Sequence, residues 1–580
     1  MSIDATSLRF FLLHRTASNP FLFRSSTSTI SDTHFLAVTL LLDNYMSYSF
    51  TDYLVIGGGS AACAVAGRLS ERADIKVTVL EAGGSGDSAL VKTPLACAVM
   101  LPTSINNWAF ETVPQPGLNG RRGYQPRGKM LGGSSGLNAM VYIRGHRQDY
   151  DQWAALGNAG WSYDDVLPYF LRSENNARLG APFHGQNGPL HVSELVSDNP
   201  VQAIYLEAAR QAGFNLNDDF NGAEQEGLGI YQVTQFQGER WSAARAYLHP
   251  HIGTRSNLQV ETGCYVTRIL FDGKRAVGVQ YTQNGQQKTL RARCEVILAA
   301  GALQSPQLLM LSGIGEAAHL QEQGISVLHD LPGVGQNLQD HPDFVFKFRS
   351  RSLDLLGISA AGSWRIAREF WRYHKMRRGT FTSNGAECGG FLKTAPDLAA
   401  PDIQLHFVMA MLDDHVRKQH LGHGFSCHVC LLRPKSIGEL RLESNDPQAV
   451  PLINPRFLEH PDDIESLLKA YKLTQRLFAT PALKALISAD FETANVHSDD
   501  EIRAKLRDKT DSIYHPIGTC KMGIDAMAVV NPQLQVHGIE RLRVVDASIM
   551  PTLIGGNTNA PTMMIGEKAA DLILQAHRDY

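Results

Sequence analysis

A turn of three glycines, Gly57-Gly58-Gly59, joins a short apolar run to a stretch of small residues. The run is residues 52–56 (DYLVI), which has the unbroken apolar character of a strand buried on both faces of a parallel sheet. Residues 60–72 follow at helical spacing, beginning with Ser60. Residues 76–80 (KVTVL) then give a second strand closed by Glu81 and Ala82. The order is strand, turn, helix, strand, acid, and the turn reads G-x-G-x-x-A. Gly57 permits the tight turn, Gly59 lets a pyrophosphate approach the backbone, and Ala62 is small enough for helix–strand packing. A pyrophosphate would rest on the N–H groups and the positive end of the helix. Glu81, 24 residues after Gly57, is placed to accept hydrogen bonds from an adenosine ribose. This fingerprint alone does not separate FAD from NAD.

Two further glycine-rich segments follow. Residues 126–146 read PRGKMLGGSSGLNAMVYIRGH, and residues 301–315 read GALQSPQLLMLSGIG after the apolar run 296–300. Glycines at 128, 132, 133 and 136 bring backbone close to a flat ligand. Both segments resemble, in order, the two signature motifs of the glucose–methanol–choline (GMC) oxidoreductases, FAD enzymes that act on alcohols. The resemblance runs from about residue 52 to the end of the chain.

The tail adds residues 514–523 (YHPIGTCKMG), 541–551 (RLRVVDASIMP) and 555–562 (GGNTNAPT). The last of these opens a helix with Pro561 near its first turn, where a missing N–H costs little. By position, the resemblance implies His515 and Asn557 as the residues facing the flavin. His515 would be the base, since imidazole titrates near operating pH. Asn557 would hold the alcohol oxygen. The family pattern also implies cofactor contacts from Gly57, Gly59, Ser60, Glu81, Ala82, Trp108, Gly132, Gly133, Asn138, Ala139, Met140, Val141, Val266, Asp546, Ala547, Thr558 and Asn559. Some members tie FAD covalently to a histidine in the first signature. Here Gly136-Leu137 precede Asn138 and no histidine follows until His146, so noncovalent FAD is expected.

The expected fold is α/β. It has a Rossmann-type FAD-binding domain with a parallel central sheet, and a discontinuous substrate-binding cap with an antiparallel sheet and helices. The domain reading is an extension over 1–50, the FAD-binding domain over 51–345 with part of the cap inserted, the cap over 346–510, and a catalytic return over 511–580. With 43% hydrophobic and 19% charged residues, the 580-residue chain is neither disordered nor collagen-like. Lys+Arg of 54 against Asp+Glu of 57 leaves no basic excess to hold nucleic acid. The longest apolar run, residues 35–42, is too short to span a bilayer. Eight scattered cysteines make no disulfide framework, and a reducing compartment fits them.

Residues 1–45 hold three Arg, no Lys and many Ser and Thr. They read either as a transit-like segment or as translation assigned upstream of a true start at Met46, the reading that Asp4, Asp32 and Asp43 favour. The expected location is cytoplasmic or peripheral on a membrane, and mitochondrial if 1–45 is a genuine transit peptide.

Three motifs in the middle carry alternatives. Glu387 faces a substrate cation, or is structural as such residues more often are. Residues 364–378 (WRIAREFWRYHKMRR) place Arg365, Arg368, Arg372 and Lys375 in one helical stripe, with the aromatics largely elsewhere. Such a helix docks on anionic lipid, or packs its aromatics on the cap and leaves its charges in solvent. Cys427 and Cys430 fall on opposite faces of a strand-like run, so no metal is expected.

The substrate implied is a primary alcohol converted to the aldehyde, with electrons passed to a quinone-type acceptor. Segments such as residues 107–121 (NWAFETVPQPGLNGR) look closest to the aliphatic alcohol dehydrogenases. Choline dehydrogenase is the runner-up, an oxygen-using alcohol oxidase stands behind it, and a flavoprotein without alcohol chemistry is the reading from another class.

Overall fold

A computed structural model describes residues 49–578. The transit-like or mis-assigned stretch expected over 1–45 lies outside the described residues. Strand β1 (Ser49–Ile56) leads through helix α1 (Ser60–Leu69) to β2 (Val77–Leu80). β3 (Gly227–Ile230) joins a second sheet. The chain returns to the first as β4 (Leu258–Glu261), β5 (Cys264–Asp272), β6 (Arg275–Gln283) and β7 (Gln286–Leu298). After helix α2 (Gln304–Leu311) it builds the second sheet from β8 (Pro342–Ser350) and β9 (Gly357–Ile358), then helix α3 (Ala360–Met376). β10 (Ala386–Leu392), β11 (Ile403–Val408) and β12 (Gly422–Leu431) follow, then helix α4 (Pro461–Phe478). The short strands β13 (Ala489–Asp490) and β14 (Asp511–Ser512) edge this sheet. Finally β15 (Leu542–Val544) rejoins the first sheet and helix α5 (Asn559–Arg578) ends the description.

The first sheet has the order β4-β2-β1-β7-β6-β5, with β15 beside β7. β1, β2 and β4 run parallel, as do β7 and β15, while β5 to β7 form an antiparallel meander. This is a Rossmann-type arrangement, and its strands explain it. All of β2 and Tyr53 to Ile56 of β1 are buried, as strands covered on both faces must be. The small residues of α1 have a cause in packing. A Cβ on Gly67 would lie 2.9 Å from the Tyr247 carbonyl, and one on Gly566 in α5 would lie 2.5 Å from the Ala61 carbonyl. α1 is therefore clamped at backbone distance, and larger side chains would push its partners away.

The second sheet is antiparallel, in the order β13-β8-β12-β11-β10-β3, with β9 on β12 and β14 on β8. Its strands obey a period of two. Phe344, Phe346 and Phe348 of β8, Leu405 and Phe407 of β11, and Phe425, Cys427 and Val429 of β12 enter one apolar core, shared with Leu467 and Tyr471 of α4. Each such side chain contributes roughly 1.5–3 kcal/mol. The alternate residues Asp343, Val345, Lys347, His406, Val408 and His428 face a cavity instead. Cys430 likewise leaves the core that holds Cys427 for a different cluster.

Helix α3 differs from its sequence reading. Gly362, Glu369 and Tyr373 face inward, so Trp364 and Trp371 stand on the solvent face beside Arg368 and Lys375. Glu369 sets this orientation: its buried carboxylate accepts from the Thr380 N–H at 3.2 Å and lies 3.5 Å from Arg372. Basic and aromatic residues thus share one exposed face rather than dividing the helix between them. No helix among the described residues is long and apolar enough to cross a membrane.

Candidate active site

A cavity of ≈ 840 Å³ lies between the two sheets. At one end it is a cradle of backbone. Gly57 has φ +90°, and a Cβ there would meet the Ala299 carbonyl at 2.7 Å. A Cβ on Gly59 would touch only that carbonyl, at 3.8 Å, and one on Gly301 would meet nothing within 4 Å. These glycines leave space on the cavity side for a ligand to lie against the chain. The N-termini of α1 and α5 both open here, joined by the Ser60 hydroxyl donating to Asn559 Oδ1 at 2.8 Å. Two positive helix ends on one cavity favour an anionic group.

Glu81 lines the cradle, but its carboxylate already accepts from the Gly58 and Gly83 N–H groups, each at 2.7 Å. Burial raises its pKa, opposed by those hydrogen bonds. Asp546 is tied by the Gly301 N–H at 2.9 Å and the Ser305 hydroxyl at 2.6 Å. Trp108 stacks on Phe110, with the Lys129 ammonium 4.1 Å from its ring.

Ala82, Gly133, Asn138, Ala139, Met140, Val141, Val266, Ala547 and Thr558 also line the cavity, as do His515 and Asn557. Gly132 does not. It turns at φ +95° and donates its N–H to the Gly58 carbonyl at 2.7 Å, so it shapes the glycine turn. Glu387 is also outside the wall, fully buried and hydrogen-bonded to Gln202 at 2.8 Å. Its structural reading is the one the packing matches. Leu137 lines the cavity, whereas His146 caps the helix at residues 147–155.

At the other end imidazoles converge. His515 Nδ1 lies 3.0 Å from His341 Nδ1, whose Nε2 lies 3.1 Å from the Ile554 carbonyl. A carbonyl only accepts, so His341 Nε2 carries a proton. Burial pushes the His341 pKa down to about 3, so this ring is neutral and its Nδ1 is an acceptor. His515 must therefore donate from Nδ1, which leaves its Nε2 lone pair toward the cavity. Burial, then His341, His406 and Arg127, hold the His515 pKa well below the usual imidazole range. The backbone is pinned as well: the His515 N–H donates to Asp340 Oδ1 at 2.8 Å, and Arg127 donates to the Tyr514 carbonyl at 2.6 Å.

Asn557 Nδ2 lies 3.3 Å from His515 Nε2, and Gln404 Nε2 donates to Asn557 Oδ1 at 3.0 Å. Gln404 thereby fixes which end of the amide faces His515. His406 stands opposite His428 in the β11–β12 register, and His428 Nδ1 meets Asp343 Oδ2 at 2.5 Å. Sequence reasoning passed over His341, His406, His428 and Gln404. Polar residues alternating through apolar strands (IQLHFV, FSCHVCL) were the available signal. Among the described residues no cluster suited to a metal ion occurs.

Family patterns described as GMC oxidoreductase match residues 51–343 and 434–566. An alcohol dehydrogenase [acceptor] of Pseudomonas putida is 44% identical over 90% of this chain and 96% of its own length. The mitochondrial choline dehydrogenase of Homo sapiens is 44% identical over 90% and 89%. Among solved structures, an Aspergillus oryzae formate oxidase variant, described with FAD, superposes at TM-score 0.85. It is 28% identical and covers 92% of this chain and 99% of its own. Matched by both halves of one family and by relatives along nearly their full length, the chain belongs to the GMC oxidoreductases.

Proposed function

We propose that this FAD-dependent oxidoreductase converts an aliphatic primary alcohol to its aldehyde and passes the electrons to a quinone-type acceptor. The observation that carries the reading is the Nε2 lone pair of His515, turned toward Asn557 Nδ2 at 3.3 Å in the cavity that also holds the nucleotide cradle.

Gly59, Ser60 and the N-terminus of α5 would hold the pyrophosphate of FAD, and Glu81 its ribose. Asn138 to Val141, Asp546 and Ala547 would lie along the ring system, with Thr558 and Asn559 at its polar edge. Leu137 offers no nucleophile, in keeping with noncovalent FAD. The bound flavin supplies a two-electron acceptor for the hydride of the carbinol carbon. The chain supplies the proton chemistry and the geometry. His515 Nε2 takes the hydroxyl proton; burial holds its pKa well below the operating range expected of a free imidazole, so the ring is unprotonated at physiological pH at a cost in basicity. Asn557 Nδ2 donates to the alcohol oxygen and orients the carbinol hydrogen, with Gln404 preventing the amide from turning over. The second sheet acts as the substrate-binding cap.

The wall beside these residues favours an aliphatic chain. Val345, Leu356, Val408, Ala410 and Leu412 supply its apolar part, between the polar Lys347, His406 and His428. Of the carboxylates nearby, Asp413 is bonded to Lys347 at 2.7 Å, and Asp343 is held through one oxygen by His428 while its Oδ1 has no partner among the described residues. The aromatic rings lining the cavity besides histidines are Trp108, Tyr265 and Tyr514. Trp108 and Tyr265 lie together near the nucleotide cradle, and the Tyr514 hydroxyl is bonded to His415. A quaternary ammonium seeks aromatic faces and a free anion, so choline is the second reading.

Anaerobic titration of the yellow protein decides. Medium-chain primary alcohols should bleach the flavin, choline should not, and a quinone analogue should restore the colour faster than air. Bleaching by choline alone would reverse the substrate assignment.

A further inference from the structure

Helix α3 presents an unusual outer face. Trp364 is 76% exposed and Trp371 66%, one above the other at a spacing of seven residues, with Arg368 and Lys375 on the same stripe. Phe370 and Met376 flank it, both more than half exposed. Residues 364–378 hold six cations and one acid, Glu369, which is buried. The chain as a whole carries a net charge of −3, so this is a local basic patch on an acidic protein. The inner cations are spoken for, since Arg372 and Arg378 both pair with Asp198, at 2.6 and 2.7 Å. Of the outer two, Arg368 reaches the edge of Glu369 at 3.4 Å yet keeps its side chain 67% exposed, and Lys375 leans over the Trp371 ring.

The patch continues beyond the helix. Ile358 immediately precedes the capping residue Ser359 and is bridged to Leu421, which is 74% exposed. Two residues before Ile358, Leu356 belongs to the cavity wall, and three before Leu421, Lys418 does too. Ile358 and Leu421 therefore lie within three residues of the cavity wall along the chain.

We propose that the outer face of α3, with Ile358 and Leu421, is a docking surface for a bilayer containing anionic lipid. Tryptophans lying beside cations on one side of a helix match the two demands of that interface. The indole rings settle at headgroup depth, and the cations meet the negative surface. At 17 residues the helix is about 25 Å long, enough to lie along the surface. Docked in this way, the segments that lead to the cavity wall touch the lipid, so an apolar alcohol enters from the membrane side. The surface stands apart from the identity of the alcohol and the acceptor, because vesicle partition is read without turnover.

The test is sedimentation of the FAD-loaded full chain with vesicles of phosphatidylcholine and phosphatidylglycerol in equal parts, and with vesicles of phosphatidylcholine alone. The protein should pellet with the mixed vesicles, stay in solution with the neutral ones, and be released by salt. Trp364→Ala with Trp371→Ala should weaken partition at least roughly tenfold. Arg368→Gln with Lys375→Gln should weaken it by roughly fivefold for each cation. Both double variants should keep wild-type turnover with a water-soluble acceptor, which shows that they are folded. The proposal is overturned by failure to pellet with mixed vesicles, by equal binding to neutral ones, or by unchanged binding of both variants. It is equally overturned if sedimentation velocity finds self-association abolished by the tryptophan changes and no vesicle binding, since a second copy would then be the occupant.

Discussion

His341 Nδ1 lies 3.0 Å from His515 Nδ1, and the Ile554 carbonyl on the far side of His341 settles the direction of the hydrogen bond. The neutral inner ring accepts, the outer ring donates, and the lone pair proposed to take the alcohol proton is left on Nε2. In that proposal His341 positions His515. His341→Leu removes the acceptor and should lower kcat roughly 10²-fold while KM and FAD content hold. His341→Asn keeps an acceptor near the Nδ1 position and should recover most of the loss. Equal loss in both variants, with FAD retained, would mean that only the volume of the ring matters.

His515 itself is reached by a different measurement. His515→Ala should cost about 10²–10⁴-fold in turnover and leave the flavin spectrum intact, since the cradle around Gly59 and Gly301 is built by other segments. Full activity in this variant would remove the base from the mechanism.

Noncovalent attachment of the cofactor is predicted from Leu137, a side chain without a nucleophile that lines the cavity. Acid precipitation should leave the yellow colour in the supernatant. A coloured pellet would point to a bond formed elsewhere in the wall.

Gly57 combines two constraints that a single methyl would violate. Its φ of +90° disfavours any side chain, and the added Cβ would sit 2.7 Å from the Ala299 carbonyl, a backbone atom at the end of the neighbouring strand β7. Gly57→Ala should lower stability by roughly 2–4 kcal/mol and reduce FAD occupancy, read by thermal melting and by the flavin-to-protein absorbance ratio. An unchanged melting temperature would contradict the close approach of the two strands.

The first sheet and the cradle were legible because their constraints are local. A tight turn, a helix start and a strand end each leave a mark within a few residues, as Gly57, Ser60 and Glu81 do. Gly132 shows the limit of this: a signature glycine looks the same whether it lines the cavity or braces the turn beside it. The imidazole cluster was not legible, because His341, His406 and His515 come from segments far apart in the chain and meet only through the pairing of both β8 and β11 with β12 and the docking of the tail. Helix α3 failed for a different reason. Spacing already puts residues 364, 368, 371 and 375 on one face, which a stripe traced through the cations alone passes over, and the buried Glu369 and its bonds turn that face outward.

Those buried imidazoles also set the response to acid. Burial lowers the pKa of His341 and of His406 to about 3, and that of His515 well below its ordinary value. An unfolded histidine titrates near 6.5. Below that pH the unfolded chain binds protons that the folded one refuses, so the stabilisation present above about 6.5 is lost as pH falls toward 3. Each such ring contributes a slope of about 1.4 kcal/mol per pH unit across that window. His406 is the cleanest to test, because it is buried and desolvation dominates its lowered pKa, with His428, Asn557 and His341 as the lesser influences. His406→Gln should match the wild type more closely in acid than at neutral pH, its denaturation curve falling less steeply between pH 6.5 and 5 by about one ring's share. Curves that stay parallel through this range would mean that His406 is protonated in the folded protein, and that the cavity wall beside Asn557 is wetter than its packing implies.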